Sequence, residues 1–508
     1  MSRDGWSRQH ERRAGTVNWN EQTNILLITT DQQRWDTLGC YGLSGLHTPN
    51  LDTLGAEGVR YERCYVNGTI CTPSRASLWT GKHIPGHGVH ALHDCLPEDE
   101  VMFPKRLQAA GYETALFGKL HVSGHYREYD RRHPNDGFDV YEWASDPKGP
   151  WGMDNAYLQW LEGRDPDLRQ AIRNGDPIGH IPAESHMTTW AAERTIEYLD
   201  ARRDSDKPFF CCMSVFDPHS PYTNHPEEAE SVLGDLPDVI AGDQPFTGRP
   251  IAHEMERKWG PKVPEPETLD RFRIGYHAAV AHIDRQVGRV LDALEKTGLG
   301  DRTLVIFTSD HGDMLGDHGL MTKGAYFYDA CTRVPMIARA PGIGSRVEEA
   351  PVQLHDIAST CLQAAGTSSD ETGKWSPDGV SLLDADKLHR RNRAVCLYRN
   401  SGNCNKPEIG YRGYFDPPIH GMMWYADGYK VNVYHSPEPD EDHPQGEIYD
   451  LSEDPNEMEN LWDADAVQVL RSRTIGEAMD WLALDGVRGR ARGEDASGIG
   501  LREGHSAV

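Results

Sequence analysis

Nowhere does the 508-residue chain approach the roughly 20 consecutive apolar residues that a membrane helix needs. Its first residues, Met1 to Asn20, are polar and charged and lack the apolar segment of a secretory signal, so a cytoplasmic location is the expectation. Positive charge is also short: 52 Lys and Arg stand against 79 Asp and Glu, a formal net charge of −27. Such a surface repels polyphosphate backbones, which sets nucleic acid aside as a partner. A small anionic substrate stays compatible, because a metal ion, Arg, Lys and His can make a pocket locally positive under an acidic exterior. Cysteine is sparse too. The ten residues Cys40, Cys64, Cys71, Cys95, Cys211, Cys212, Cys331, Cys361, Cys396 and Cys404 have neither the density of a disulfide scaffold nor the paired spacing of a zinc ribbon. Most therefore read as small buried hydrophobes. No internal repeat is present.

What the chain does have is length enough for a main domain and a smaller one, together with several short apolar runs that end in polar residues. Asn24 to Thr30, N-I-L-L-I-T-T, suits a strand buried on both faces of a parallel sheet and ends at Asp31. Thr303 to Asp310 repeats the design, Lys207 to Val215 leads into F-D-P-H-S-P-Y, and Glu113 to Phe117 leads into G-K-L-H. Ligands of open parallel sheets sit beyond the carboxyl ends of the strands, so these four endings can share one α/β site despite their distance in sequence. Apolar residues at Tyr276, Val280, Ile283, Val287, Val290, Leu291 and Leu294 predict a long amphipathic helix closed near Gly298. Two stretches, about 143–186 and 226–266, are rich in Pro, Gly, Asp and Trp with little periodicity, as insertions over a pocket mouth are. Near the C-terminus, M-M-W-Y-A-D-G-Y-K-V-N-V-Y predicts a hairpin turning at Asp427-Gly428. The expected organisation is a polar extension over 1–22, a catalytic domain over 23–389, an antiparallel α+β subdomain over 390–483, and a Gly-rich charged tail over 484–508. That tail is a candidate for exchange between subunits of a homo-oligomer.

Cys71 stands in I-C-T-P-S-R-A-S-L-W-T-G, and further motifs follow a fixed order around it: D-Q-Q-R from Asp31, G-K-L-H from Gly118, D-P-H from Asp217, S-D-H-G-D from Ser309, M-T-K-G from Met321 and I-Y-D-L-S-E-D-P-N-E-M-E-N-L from Ile448. Over about residues 23 to 462 the chain resembles the sulfatase family, whose hallmark is C-x-P-S-R. The resemblance implies an alkaline phosphatase-like fold: a large mixed, mostly parallel sheet sandwiched by helices, with a small C-terminal antiparallel subdomain. It also implies that a separate maturation enzyme converts Cys71 to formylglycine. The hydrate of that aldehyde offers one hydroxyl, ionised against a divalent metal, to attack the sulfur of a sulfate ester. A second hydroxyl can then expel sulfate. Asp31, Asp310 and His311 are the implied metal ligands, with Cys71 as formylglycine and Gln32 as further oxygens. Many sulfatases carry Asp where Gln32 stands and Asn where His311 stands. The Asp-His pair resembles the branch of iduronate and choline sulfatases and phosphonate monoester hydrolases, and an imidazole among the ligands leaves Ca²⁺ and Mn²⁺ both open.

Arg75, four residues after Cys71, should lie one helical turn away on the same face, where it can hold the formylglycine hydroxyl or balance the metal-site carboxylates. Lys119 and His121 alternate, so a strand continued through them would turn both to one side. The resemblance makes His121 the base for the second hydroxyl and Lys119 a sulfate ligand. His219, after a proline, and Lys323 can serve the leaving oxygen. His83, His87, His90 and His93 have metal-like spacing without accompanying carboxylates, and read as pocket wall with His93 the substrate contact. The leading reading is a formylglycine-dependent sulfuric ester hydrolase acting on a small anionic ester. A phosphonate monoester hydrolase or phosphodiesterase of the same fold is the second, and a binding protein that never matures Cys71 the third.

Overall fold

A computed structural model of the chain describes residues 23–124, 128, 131–147, 155–204, 206–242, 248–400, 418–435 and 444–488. Its centre is an eight-stranded sheet made of β1 (Asn24–Thr30), β2 (Val59–Tyr61), β3 (Glu113–Gly118), β4 (Val140–Trp143), β5 (Phe209–Ser214), β6 (Thr303–Ser309), β7 (Met336–Arg339) and β8 (Arg346–Glu348), in the spatial order β8-β2-β7-β6-β1-β5-β3-β4. Every pairing is parallel except the two that β7 makes with β2 and β6. The sheet is thus mixed and mostly parallel, and the first strand in sequence lies inside it between β6 and β5.

Period-two alternation explains why β1 is apolar throughout. Ile25 and Leu27 face one core and Leu26 and Ile28 the other, all with no exposure. The first core is closed by helices α1 (Cys71–Thr80) and α4 (Asp356–Ala364), the second by α2 (Met187–Glu197) and α3 (Pro266–Lys296). Helix α3 buries Tyr276, Val280, Ile283, Val287, Val290 and Leu294 as its pattern predicts, and ends just before Gly298 at φ +70°.

A separate antiparallel meander, β9 (Arg393–Arg399), β10 (His420–Ala426), β11 (Tyr429–Tyr434) and β12 (Gly446–Asp450), forms the C-terminal sheet. Asp427 and Gly428, at φ +51° and +86°, make its two-residue turn, as a type I′ hairpin requires. Helix α5 (Gln468–Arg488) covers this sheet and enters the segment that the sequence reading assigned to the tail. The extension over 1–22 and the tail from 489 onward lie outside the described residues.

The two insertions are less irregular than their composition suggests. Ala156–Arg164, Pro166–Asn174 and Ile251–Trp259 are helices of nine residues each. Both of the first two carry caps, Asn155 Oδ1 accepting from Tyr157 N at 3.1 Å and Asp165 Oδ1 from Leu168 N at 3.0 Å, and the second is also amphipathic, with Leu168, Ala171 and Ile172 on one face.

Candidate active site

Register brings the four strand endings together. Thr30 pairs with Ser309, so Asp31 and Asp310 emerge side by side, and Ser214 pairs with both Thr29 and Gly118, which places Lys119 next to the start of the D-P-H loop. Backbone bonds carry the alignment one residue past each strand: Asp310 N donates to Thr30 O at 3.3 Å, Asp31 N to Asp217 O at 3.2 Å and Lys119 N to Ser214 O at 2.9 Å. Beyond that point the chain turns sharply, and Gln32, His121 and Thr322 all take left-handed φ values of +70°, +60° and +56°. Non-glycine residues are held there only where surrounding contacts over-determine them.

Asp31, Asp310 and His311 are all buried and offer one ligand atom each within 4.8 Å of one another. Asp31 Oδ1 and His311 Nε2 lie 3.9 Å apart, and each lacks any hydrogen-bond partner. His311 Nδ1 donates to Gly312 O at 2.9 Å, which leaves the Nε2 lone pair turned toward the carboxylates. Two buried acceptors facing each other are costly unless a cation lies between them. The donor set therefore fits a divalent ion. The remaining carboxylate oxygens are occupied: Asp310 Oδ2 accepts from Arg75 Nε at 2.7 Å, Asp310 Oδ1 from Gln32 N at 3.0 Å, and Asp31 Oδ2 from Lys119 Nζ and from an Arg75 terminal nitrogen at 3.4 Å. Burial opposes ionisation of Asp31, yet Lys119, His219 and Arg75 hold its carboxyl well below the usual range. His311 moves the other way: burial lowers it, and Asp310, the Cys71 thiol and Asp31 together more than restore it.

Cys71 opens α1, all of whose residues are buried. Burial raises its thiol, while the Lys119 charge, the facing His311 imidazole and Lys323 bring it back below the ordinary thiol value. Arg75 lies one turn on and reaches both metal-site carboxylates, with further bonds at 3.0 Å to Lys119 O and Ser214 Oγ. Of its two anticipated roles, this geometry matches the balancing of the carboxylates.

Strand β3 stops at Gly118, where φ is +120°, so alternation does not bring Lys119 and His121 to one side. Each arrives separately: Lys119 on Asp31, and His121 Nε2 at 3.3 Å from Thr72 Oγ1, next to Cys71. His219 and Lys323 meet directly at 2.7 Å between Nε2 and Nζ. Lys323 also donates to Gln32 Oε1 at 2.5 Å, and Gln32 Nε2 donates to Asp313 Oδ2 at 2.5 Å. The Gln32 amide is thus bound at both ends, its oxygen turned to Lys323.

The histidine cluster divides. His83 and His87 are core residues, not pocket wall: His83 packs 4.4 Å from the His355 ring and 4.9 Å from Trp481, and His87 bonds Ser77 Oγ at 2.9 Å. His93 is half-buried in a loop tied to α1 by the Thr72 Oγ1 to Leu92 O bond at 2.8 Å. Three residues escaped the sequence reading of the site. Asp313 accepts from Tyr222 OH at 2.7 Å as well as from Gln32, and Ser214 Oγ donates to Lys119 O at 2.6 Å. Asp313 and Tyr222 do close the S-D-H-G-D and D-P-H-S-P-Y segments, the one signal that could have found them.

The sequence profile of the family described as Sulfatase matches residues 23–367. An arylsulfatase of Clostridium perfringens (strain 13 / Type A) is 29% identical over 90% of this chain and 92% of its own length. The crystal structure of a phosphonate monoester hydrolase of Agrobacterium radiobacter superposes with a TM-score of 0.70 at 24% identity, over 91% of this chain and 96% of that one. A second solved structure, a complex with its substrate D-glucosamine-2-N,6-O-disulfate, gives 0.69 at 20% identity, over 92% and 99%. With a matching profile over most of its length and an alkaline phosphatase-like sheet that carries the motif residues to one point, the chain belongs to the sulfatase family.

Proposed function

We propose that this protein is a sulfuric ester hydrolase whose nucleophile derives from Cys71 as formylglycine. The observation that carries the reading is the position of Cys71: its buried thiol faces His311, whose Nε2 lies 3.9 Å from the unpartnered Asp31 Oδ1. A divalent ion held by Asp31, Asp310 and His311 would supply Lewis-acid polarisation of the oxygens at this point. Ca²⁺ and Mn²⁺ both suit two carboxylates and an imidazole.

The chain's own groups supply the rest. Arg75 neutralises the carboxylates from beneath, so that Lys119 and Lys323 can meet the charge of an anionic ester. His219 Nδ1 donates to Ser220 O at 2.7 Å, and burial keeps the imidazole well below its ordinary value, so Nε2 accepts from Lys323 Nζ. The proton available to a departing alkoxide therefore resides on Lys323, with His219 orienting it. His121, beside Thr72, is the base assigned to the second hydroxyl.

A phosphonate monoester or phosphodiester substrate is the second reading, favoured by Gln32 in place of a second carboxylate and by its bond to Lys323. Sulfate monoesters and these phosphorus esters all present a tetrahedral monoanion to the same cations. Comparing kcat/KM for an aryl sulfate, an aryl phosphonate monoester and a phosphodiester ranks them; a large preference for either phosphorus ester overturns the first choice. The mass of the tryptic peptide carrying Cys71 tests maturation, which requires a separate enzyme. An unmodified thiol throughout natively produced protein removes the proposed nucleophile and revives the binding-protein alternative. Cys71→Ala is expected to abolish turnover with an unchanged circular dichroism spectrum.

A cytoplasmic location is supported by the nine cysteines among the described residues, all unpaired as in a reducing compartment. No helix among the described residues is long and apolar enough to cross a membrane. Assembly as a homo-oligomer through the C-terminal tail, and His93 as a substrate contact, complete the proposal.

A further inference from the structure

Outside the catalytic pocket, a second group of metal-ligating side chains comes together where the two insertions meet. His180, His225 and Glu230 offer one ligand atom each within 4.8 Å of one another. His225 is buried, Glu230 is partly exposed and His180 is exposed. The two loops are already joined by Ile181 N donating to Asn224 O at 3.2 Å.

The hydrogen bonds define which nitrogen is available. His225 Nδ1 lies 3.0 Å from Tyr222 O, and His180 Nδ1 lies 3.0 Å from His225 O. A carbonyl oxygen can only accept, so both Nδ1 atoms carry hydrogen and each neutral ring keeps its lone pair on Nε2. This is the outer arrangement that fixes histidine ligands in metal sites. His225 Nε2 nonetheless stands 2.7 Å from Glu230 Oε1. Two acceptors at that separation need a cation between them. A proton satisfies the pair alone, whereas a metal ion also uses the third ligand, and the His180 and His225 rings meet edge to face with centroids 4.6 Å apart.

We infer that His180, His225 and Glu230 form a second divalent-cation site suited to Zn²⁺, with an open fourth position toward solvent. Two imidazoles and one carboxylate match the nitrogen and oxygen preferences of Zn²⁺ over Ca²⁺. A tetrahedral ion separates its ligand atoms by about 3.4 Å, so the carboxylate must retreat by about 0.7 Å, which the exposed Glu230 side chain allows. The site reaches the catalytic pocket through Tyr222: its carbonyl holds the His225 ring, and its hydroxyl donates to Asp313, which binds the Gln32 amide. An ion here clamps the His180 and His225–Glu230 segments together and steadies that chain of contacts.

The test is metal stoichiometry in the full-length protein. After equilibration with Zn²⁺ and gel filtration, the wild type is expected to hold one Zn²⁺ per chain more than His180→Ala or Glu230→Gln, two surface substitutions that leave the buried His225 in place. Co²⁺ substitution should give the wild type a tetrahedral-ion absorption over and above that of the variants, and both variants should weaken the second Zn²⁺ at least 100-fold. Equal Zn²⁺ content and equal Co²⁺ spectra in all three proteins overturn the inference and leave an imidazolium–carboxylate pair. Because the readout is metal bound and not turnover, it stands apart from the choice between sulfate and phosphorus esters.

Discussion

Glu256 shows how a single residue carries a pH dependence. Its buried carboxyl accepts one hydrogen bond, from Ala325 N at 2.7 Å, two residues past Lys323, and burial pushes its pKa up to about 8. In the unfolded chain the same group ionises near its ordinary value of 4.5. Between those limits the folded state holds a proton that the unfolded state has lost, so stability falls as pH rises. Glu256→Gln keeps the acceptor and removes the titration. Its Tm advantage over the wild type is expected to grow from about pH 4.5 to about pH 8 and then level off, as thermal scans across that range can read. A flat difference would mean that the carboxyl is not protonated when folded. Arg75, 1% exposed, is the opposite case, since its removal strands two buried carboxylates. Arg75→Met should cost about 3–5 kcal/mol in urea unfolding of the metal-free protein, with a smaller loss when the divalent ion is present. At this scale the residues with motif neighbours were legible: Cys71, Asp31, Asp310, His311 and Lys323 all come to one place. Asp313 and Tyr222 were not identified, because each works through a hydrogen bond to a partner 91 residues away that no local pattern records.

Elements were legible where burial imposes a period and obscure where capping does the work. Strand β1 and helix α3 write their packing into their apolar spacing, and the Asp427-Gly428 turn writes its φ signs into its residue types. The insertion helices are short and bury only a few residues each, and the Pro, Gly and Asp around them concealed them; of the three, Ala156–Arg164 has a cap, Asn155, and little apolar period. The end of β3 was read to within one residue, but G-K-L-H left open whether the strand runs on through Lys119 and His121, and it stops at the glycine. Gly118 sits at φ +120° with a hypothetical Cβ running into the Ser214 carbonyl, so a glycine is required there. Gly118→Ala should cost about 3 kcal/mol and separate the ends of β3 and β5. Ser214 Oγ bridges Arg75 and the Lys119 carbonyl, so kcat should drop roughly 100-fold even in the fraction that stays folded. Unchanged steady-state kinetics in that variant would show that the strand ends do not need this spacing.

At the scale of the whole molecule, sequence patterns identify buried strands but not their neighbours, so the central place of β1 and the single antiparallel β7, whose four residues carry no distinctive pattern, emerged only from the fold. The union of the two sheets was equally hidden. Lys430, fully buried on β11, donates to Phe327 O at 3.0 Å, to Glu457 at 2.7 Å and to Asp329, and Asp329 N donates to Glu457 at 2.6 Å. One cation on the C-terminal sheet therefore satisfies two carboxylates, one of them Asp329, on the segment that follows Lys323 and returns to the main sheet. Lys430 lowers the Asp329 carboxyl against the effect of burial, while Glu457 is pushed up to about 8 chiefly by burial itself. Replacing the lysine strands this pair without solvent, at a cost of about 3–5 kcal/mol. Lys430→Ala is thus expected to loosen the C-terminal sheet before the rest of the molecule, giving tryptophan fluorescence from Trp424 and Trp462 an earlier urea midpoint than far-ultraviolet circular dichroism. Coincident transitions at the wild-type midpoint would show that apolar packing, not this ion cluster, joins the sheets.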